Sequence, residues 1–222
     1  MSTKDIWAVV PIKELDGAKQ RLAPMLSPAQ RRALIEVMMS EVLEAVVTTP
    51  SLAGTMVVTV DPHATALAKR LGARVVTDGA RDGHTGAVAA MARILADEGR
   101  AAMLAVPGDI PRATAAEIAA VVAARRPAPS LTIVPAHDGR GSNAVLCSPP
   151  LVMPLRFGDD SFLPHLASAR ALGIEPTIVK LPGIGLDIDQ PDDALALLRA
   201  TPPMTTRAFS AIASSVAAER FR

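Results

Sequence analysis

The sequence predicts a single α/β domain, a mostly parallel mixed sheet with helices on both faces. Short apolar runs alternate with longer helical patterns almost from end to end, as repeated βαβ units require. A chain of 222 residues that is 50% hydrophobic can bury one sizeable core. One interval, Leu131 to Cys147, holds two strand patterns joined by a polar loop with no helix between them. An antiparallel excursion there makes the sheet mixed.

Trp7-Ala8-Val9-Val10 reads as the first strand, followed by a charged loop. Ser27-Pro28-Ala29-Gln30 then opens a helix to about Val47, with Ser27 as cap, Pro28 in the first turn and Gln30 completing a capping box. Met56 to Val60 is the second strand, and Asp61-Pro62 starts the next helix. Arg74 to Thr77 is a short third strand, and Thr85 to Ala96 a helix. Ala101 to Val106 is a buried strand that ends in Pro107-Gly108-Asp109-Ile110-Pro111, with a helix beginning at Thr114-Ala115-Ala116-Glu117. Leu131 to Val134 and Asn143 to Cys147 form the antiparallel pair. Asp159 to Leu172, Ile174 to Leu181 and Gln190 to Arg199 read as helix, strand and helix.

Residues 1–200 are thus expected to form the domain, and residues 201–222 a C-terminal extension of helical pattern beyond the breaker Thr201-Pro202-Pro203. Phe209, Ile212, Val216 and Arg220 share one helical face there, which suits a docked or fraying terminal helix or, as the sharper alternative, a homodimer or partner contact.

Composition narrows the function. A net charge of +1 without a long basic block gives no nucleic-acid footprint, and 2% aromatic residues with no Tyr removes stacking platforms. Cys147 is the one cysteine, which excludes an internal disulfide; its apolar neighbours Ala144-Val145-Leu146 suit a small core residue. The run Ile6 to Ile12 is too short, and too soon followed by Lys13 and Glu14, for a signal peptide. No segment approaches a membrane span. A cytoplasmic protein acting on small molecules is the expectation.

Four constellations carry chemistry. The loop after the first strand, Pro11 to Leu22, holds Lys13, Lys19 and Arg21, cations suited to a polyphosphate. It is neither a Walker A loop nor a dinucleotide fingerprint, and Glu14 and Asp16 equally allow a solvated, internally neutralised loop. Asp109 lies at the carboxyl end of a buried strand, where open α/β sheets bind ligands, and is a good oxygen donor for magnesium. In Leu186-Asp187-Ile188-Asp189-Gln190-Pro191-Asp192-Asp193, an extended backbone puts Asp187 and Asp189 on one side. Two such carboxylates repel unless a cation lies between them. Asp189 can also cap the following helix, and Asp192 and Asp193 suit its first turn; Asp187 has no capping role. The fourth, Arg156 to His165, offers amides near Gly158 and the Ser161 hydroxyl to an anion, with His165 on the same helical face; an ordinary N-cap with a surface histidine is the plainer alternative. The turn Gly139 to Asn143 can bring a second hydroxyl and an amide, Ser142 and Asn143, to the same place.

Taken in order, Pro11-x-Lys13-x-Leu15-x-x-Ala18-Lys19-x-Arg21-Leu22, Gly108-Asp109-Ile110-Pro111, Arg140-Gly141-Ser142-Asn143-Ala144, Phe157-Gly158-x-x-Ser161-Phe162-x-x-His165 and Asp187-Ile188-Asp189-x-Pro191-Asp192-Asp193 resemble the 2-phospho-L-lactate or phosphoenolpyruvate guanylyltransferases of coenzyme F420 biosynthesis. The resemblance spans roughly residues 6 to 200. It implies a single-domain nucleotidyltransferase-like (nucleotide-diphospho-sugar transferase) fold, GTP and Mg²⁺. It implies an acceptor acid near Ser142, Asn143, Gly158 and Ser161, metal at Asp109, Asp187 and Asp189, and nucleotide near Pro11, Lys13, Lys19, Gly83, Thr85 and Gly108. Lys13, Lys19, Arg21 and Asp109 carry the chemistry on this reading. Where the family usually has Gly-Leu-Asn-Ala-Ala, this chain reads Gly83-His84-Thr85-Gly86-Ala87, and Ser142 stands where threonine is common.

Three acceptors present the same charges to such a site: 2-phospho-L-lactate, phosphoenolpyruvate and 3-phosphoglycerate. The rival readings are another nucleotide or acceptor, a metal-dependent glycosyltransferase using Asp187-Ile188-Asp189, and a non-catalytic nucleotide-binding module. Three cations in the first loop favour a triphosphate over a nucleotide sugar, and binding without turnover would favour the module.

Overall fold

The computed structural model describes residues 5–158, 160–199, 207, 208, 210 and 213. Seven strands form one sheet in the order β3-β2-β1-β4-β6-β5-β7. They are β1 (Ile6–Pro11), β2 (Gly54–Val58), β3 (Arg74–Val76), β4 (Ala102–Ala105), β5 (Ser130–Pro135), β6 (Ser142–Ser148) and β7 (Thr177–Ile178). Every pairing is parallel except those of β6, which runs against both β4 and β5. The antiparallel excursion is therefore the β5–β6 hairpin. Because β6 is reversed, its first residues, Ser142 and Asn143, lie at the edge where β1 and β4 end.

The helices are α1 (Pro28–Val47), α2 (Pro62–Arg70), α3 (Gly83–Asp97), α4 (Ala115–Ala123), α5 (Phe162–Ala171) and α6 (Pro191–Arg199). Strand alternation assigns them to faces. Ala8 and Val10 of β1, Leu104 of β4 and Leu146 of β6 share a core with Met38 of α1, Leu67 of α2, Ile118 of α4 and Leu197 of α6. Val9 and Met103 point the other way and pack on Val88, Met91 and Leu95 of α3. Ile133, Val145 and Cys147 pack on Leu166 and Ala169 of α5. Cys147 is a buried core residue whose thiol is pushed up to about 12 by burial, which removes it as a nucleophile at neutral pH.

Local signals in the sequence account for the starts of α1 and α2. Ser27 Oγ accepts from Gln30 N while Gln30 Oε1 accepts from Ser27 N, the full capping box. Asp61 caps α2 through Ala64 N at 2.9 Å. Its other oxygen accepts from Leu15 N at 3.1 Å and so anchors the cationic loop, a role with no local sequence signal.

Several expectations are corrected. The strand expected over Ile174–Leu181 contracts to Thr177–Ile178, because only Thr132 and Ile133 of β5 provide a ladder for it. The second strand spans Gly54–Val58, where it pairs with β1, rather than Met56–Val60; Thr59 ends it and accepts from Asp61 N through Oγ1. The helix expected from Asp159 begins at Phe162, and Asp159 itself lies outside the described residues. The helix expected from Thr85 begins at Gly83, whose φ of 72° suits glycine. Of the C-terminal extension, Arg207 contacts Glu44 at 2.7 Å and Ala208 is buried; Phe209, Ile212, Val216 and Arg220 lie outside the described residues.

Candidate active site

Connections leave β1 toward β2 on one side and β4 toward β6 on the other, so the strand order reverses between β1 and β4. Open α/β sheets bind ligands in the crevice outside such a switch point. A cleft of about 1220 Å³ opens there, above the range of a typical single-ligand pocket and large enough for two substrates.

Each residue assigned above to metal, nucleotide or acceptor lines this cleft. Pro11, Lys13, Lys19 and Arg21 come from the end of β1 and its loop, and Gly83 and Thr85 from the start of α3. Gly108 and Asp109 follow β4, while Ser142 and Asn143 begin β6. Gly158 and Ser161 precede α5, and Asp187 and Asp189 precede α6. Six segments distant in sequence thus meet in one place.

Lys19 is the hub. Its ammonium lies 2.6 Å from an Asp109 carboxylate oxygen and also contacts Asp189. Burial pulls Lys19 down, but the two carboxylates outweigh it and hold the ammonium above the ordinary lysine range. Asp109 shows the converse: burial pushes it up, and Lys19 more than offsets this, so it stays ionised. Lys19 also has φ 55° and ψ 39°, the only non-glycine left-handed residue among those described. Such a conformation costs roughly 1–2 kcal/mol, and its occurrence at a cleft-lining charged residue marks a site. The loop's own acids do not neutralise it as the solvated-loop alternative supposed: Asp16 pairs with Arg32, and Glu14 lies 3.7 Å from Arg81.

Asp187 differs from its neighbours. Burial raises its carboxyl, Asn143 opposes this through a 3.0 Å hydrogen bond, and the charges of Asp109 and Asp189 add to the rise. Asn143 Nδ2 also donates to the carbonyls of Ile184 and Gly185 at 3.0 and 3.1 Å. Its amide therefore braces the Asp187 loop. Asp189 does not cap α6; Asp193 does that work, accepting from the amides of Asp189 and Gln190 at 3.0 and 2.7 Å. Among the described residues, no three His, Cys, Asp or Glu side chains are gathered into a metal cage. Two carboxylates instead converge on one cationic point, the Lys19 ammonium.

At the other end of the cleft, Ser161 occupies the N-cap of α5 without capping it and donates to Ser142 Oγ at 3.2 Å. His165, a surface residue on the plainer alternative, is 2% exposed behind these hydroxyls. Thr85 Oγ1 accepts from Phe157 N at 3.0 Å, which ties α3 to the Gly158 loop, and the His84 ring lies 4.5 Å from the Phe157 ring. Burial lowers the His84 imidazole, Asp109 opposes this, and Lys13 reinforces it.

Sequence reasoning missed Glu117. Its carboxylate accepts from Gly183 N and Ile184 N, both at 2.9 Å, and so anchors the loop that leads to Asp187. A Cβ at Gly183 would lie 2.2 Å from Glu117 Oε2 and 2.3 Å from the Arg112 carbonyl, so only glycine fits the approach. No pattern in the sequence pairs residues this far apart.

The fold is that of the nucleotide-diphospho-sugar transferases. Among solved structures, the chain is similar to a protein from Desulfovibrio desulfuricans G20 assigned as a nucleotide-diphospho-sugar transferase, with TM-score 0.76, 15% identity and 98% of each chain covered. It is also similar to a 4-diphosphocytidyl-2C-methyl-D-erythritol synthase, with TM-score 0.61, 16% identity, and 89% of this chain and 98% of that one covered. At these identities the likeness establishes the fold. The family described as "Guanylyl transferase CofC like" matches residues 6–214, which runs past Thr201, where the motifs could be followed no further. Phosphoenolpyruvate guanylyltransferase of Rubrobacter xylanophilus is 36% identical over 88% of this chain and 94% of its own length. That of Conexibacter woesei is 35% identical over 86% of each. A 3-phospho-D-glycerate guanylyltransferase of Colwellia psychrerythraea is 34% identical over 89% of this chain and 93% of its own. The chain belongs to the CofC-like guanylyltransferase family. None of the described helices is long and apolar enough to cross a membrane.

Proposed function

We propose that this protein transfers GMP from GTP to the phosphate of a small phosphorylated carboxylic acid, releasing pyrophosphate, as a step in coenzyme F420 biosynthesis. The observation that carries the reading is the meeting of Lys19 with Asp109 and Asp189 in a cleft whose other end is walled by the Ser142 and Ser161 hydroxyls. Cationic and carboxylate groups at one end suit a metal-bound triphosphate. Hydroxyls and amides at the other suit the carboxylate of an acid.

The acceptor's phosphate is its own nucleophile, because a phosphomonoester's second pKa is about 6 and the group is anionic at neutral pH. No general base is needed. The obstacle is repulsion between two anions, which Lys13, Lys19 and Arg21 relieve at the triphosphate while the cleft holds the acceptor oxygen in line with the α-phosphorus. Pro11, Gly83 and Gly108 wall the nucleotide's end, and Thr85, expected there, holds the acceptor's loop through Phe157 N. Ser142, Asn143, Gly158 and Ser161 face the acceptor, with Asn143 acting through the Asp187 loop.

The donor set fits magnesium. Its hard oxygens are few, two of them already surround a cationic point, and Mg²⁺ prefers one or two carboxylates completed by substrate phosphate. Of the three aspartates expected at the metal, Asp109 and Asp189 would hold it, with Asp187 beside them. When bound, the ion supplies charge neutralisation at the phosphoryl oxygens.

The test is a pyrophosphate-release assay crossing the four nucleoside triphosphates with 2-phospho-L-lactate, phosphoenolpyruvate and 3-phospho-D-glycerate in Mg²⁺. Turnover with GTP and one of the acids is the expected result. Silence across the grid from folded protein would sink the proposal.

A further inference from the structure

We propose that His165 is a positioning residue, which makes Ser142 a fixed hydroxyl donor into the acceptor end of the cleft. The inference rests on the function proposed above and follows from counting protons.

The Arg156 backbone N–H donates to His165 Nε2 at 3.0 Å. A backbone amide can only donate, so Nε2 carries a lone pair. Burial pushes the His165 imidazole down to about 4, so the ring is neutral at physiological pH and its one proton sits on Nδ1. Nδ1 lies 3.0 Å from Ser142 Oγ and therefore donates to it. Ser161 Oγ donates to the same oxygen at 3.2 Å. A serine oxygen accepts two hydrogen bonds and donates one. With both acceptor positions filled by protein, the Ser142 hydroxyl proton has only the cleft to turn to.

The consequence is a polarity set before any ligand arrives. Ser142 is 8% exposed and Ser161 4%, and both line the cleft, whereas His165 lies behind them. A ligand group at Ser142 meets a donor and finds no free lone pair on that oxygen. An oxyanion is favoured, and an ammonium in its place, which has no lone pair, would leave the serine proton facing another proton. Phe157, edge-on to the imidazole at 5.4 Å, helps fix the ring's plane.

Two substitutions separate the ring's two jobs. His165→Asn places a carboxamide near the Nδ1 position and can still donate to Ser142. His165→Gln reaches toward Nε2, keeps an acceptor for Arg156 and loses the Ser142 bond. The expected result in the pyrophosphate assay is a KM for the acid raised about tenfold in His165→Gln, the size of one hydrogen bond to a charged group. The KM for GTP stays unchanged, and His165→Asn recovers most of the loss. Ser142→Ala should match His165→Gln, and combining the two should add nothing further. Equal losses in both His165 variants, additive losses with Ser142→Ala, or an effect on GTP instead of the acid would overturn the role.

Long-range proton–nitrogen NMR of His165 in the unliganded wild type tests the tautomer without any turnover. A proton on Nδ1 is expected, and a proton on Nε2 overturns the proposal even in an active enzyme. Wild-type protein that turns over none of the three acids overturns the proposed function and this role together. Wild-type turnover with an unchanged acid KM in His165→Gln overturns the positioning role alone.

Discussion

Lys19 Nζ and Asp109 Oδ2 meet at 2.6 Å although 90 positions separate them in the chain. The pair joins the loop after β1 to the turn after β4 across the point where the sheet's strand order reverses. Neither charge tolerates loss of the other well, since Lys19 is 10% exposed at its side chain and Asp109 31%. Lys19→Met should lower kcat/KM by on the order of 10²–10³, the usual cost of removing a charge-stabilising donor from an active site. It should also destabilise the fold by about 1–3 kcal/mol, measured by denaturant melts. Asp109→Asn should nearly abolish pyrophosphate release with the circular dichroism spectrum preserved. Normal turnover in either variant would remove the pair from the chemistry.

How far the sequence could be read follows from where each signal resides. Ser27 with Gln30, Asp61 before Pro62, and the alternating apolar strands are local patterns, and the elements they predict are present. The polar loop between Leu131 and Cys147 correctly indicated the reversed strand β6. The clustering of Lys19, Asp109 and Asp189 followed from a general rule about strand ends, not from their neighbours. What stayed hidden was pairwise and long-range. Glu117 looked like a first-turn acid but holds Gly183 and Ile184; His165 falls on the Ser161 face, with nothing local to show that it is buried behind Ser142. The capping alternative for Asp189 also needed the fold to decide it: its carboxylate is drawn to Lys19, and Asp193 takes the amides.

Glu117 supports the Asp187 loop from behind, so its removal should be felt at the site without any contact to substrate. Glu117→Ala leaves the Gly183 and Ile184 amides without their acceptor, a loss of about 2 kcal/mol. Hydrogen exchange over residues 181–189 should quicken, and kcat/KM should fall with the loop's disorder. Gly183→Ala should do the same by collision with Glu117 and the Arg112 carbonyl. Unchanged exchange in both variants would show that the loop is held by other contacts.

Thr85 replaces the family's usual asparagine, and its hydroxyl is engaged with the backbone of Phe157. The substitution should therefore act on the acceptor end rather than on the base. Thr85→Val keeps the shape, removes the hydroxyl and leaves Phe157 N unsatisfied. Its KM for the acid should rise several-fold, by the loss of about 1 kcal/mol of loop ordering, while the preference for GTP over ATP is unchanged. A shift in nucleotide preference without any change for the acid would reverse this assignment.

Acid stability should carry a signature of His165. Its folded value of about 4 lies below the ordinary 6.5 because burial penalises the charged ring. Above pH 6.5 the ring is neutral in both folded and unfolded chains, and the full contribution is present. Between 6.5 and 4 the unfolded chain binds a proton that the folded one refuses, so stability falls as pH falls; below 4 the effect is exhausted. The loss is about 2 kcal/mol once the water near the cleft is allowed for. Other groups titrate nearby: Asp187, raised by burial and by its acidic neighbours despite Asn143, acts in the opposite sense, and Asp109, held low by Lys19, acts only below this window. The decisive quantity is consequently a difference. Urea melts of wild type and His165→Gln from pH 7 to 4 should show the gap between them narrowing by that amount as the wild type alone loses its histidine term. Parallel curves would mean that the ring is charged, or reaches solvent, in the folded protein.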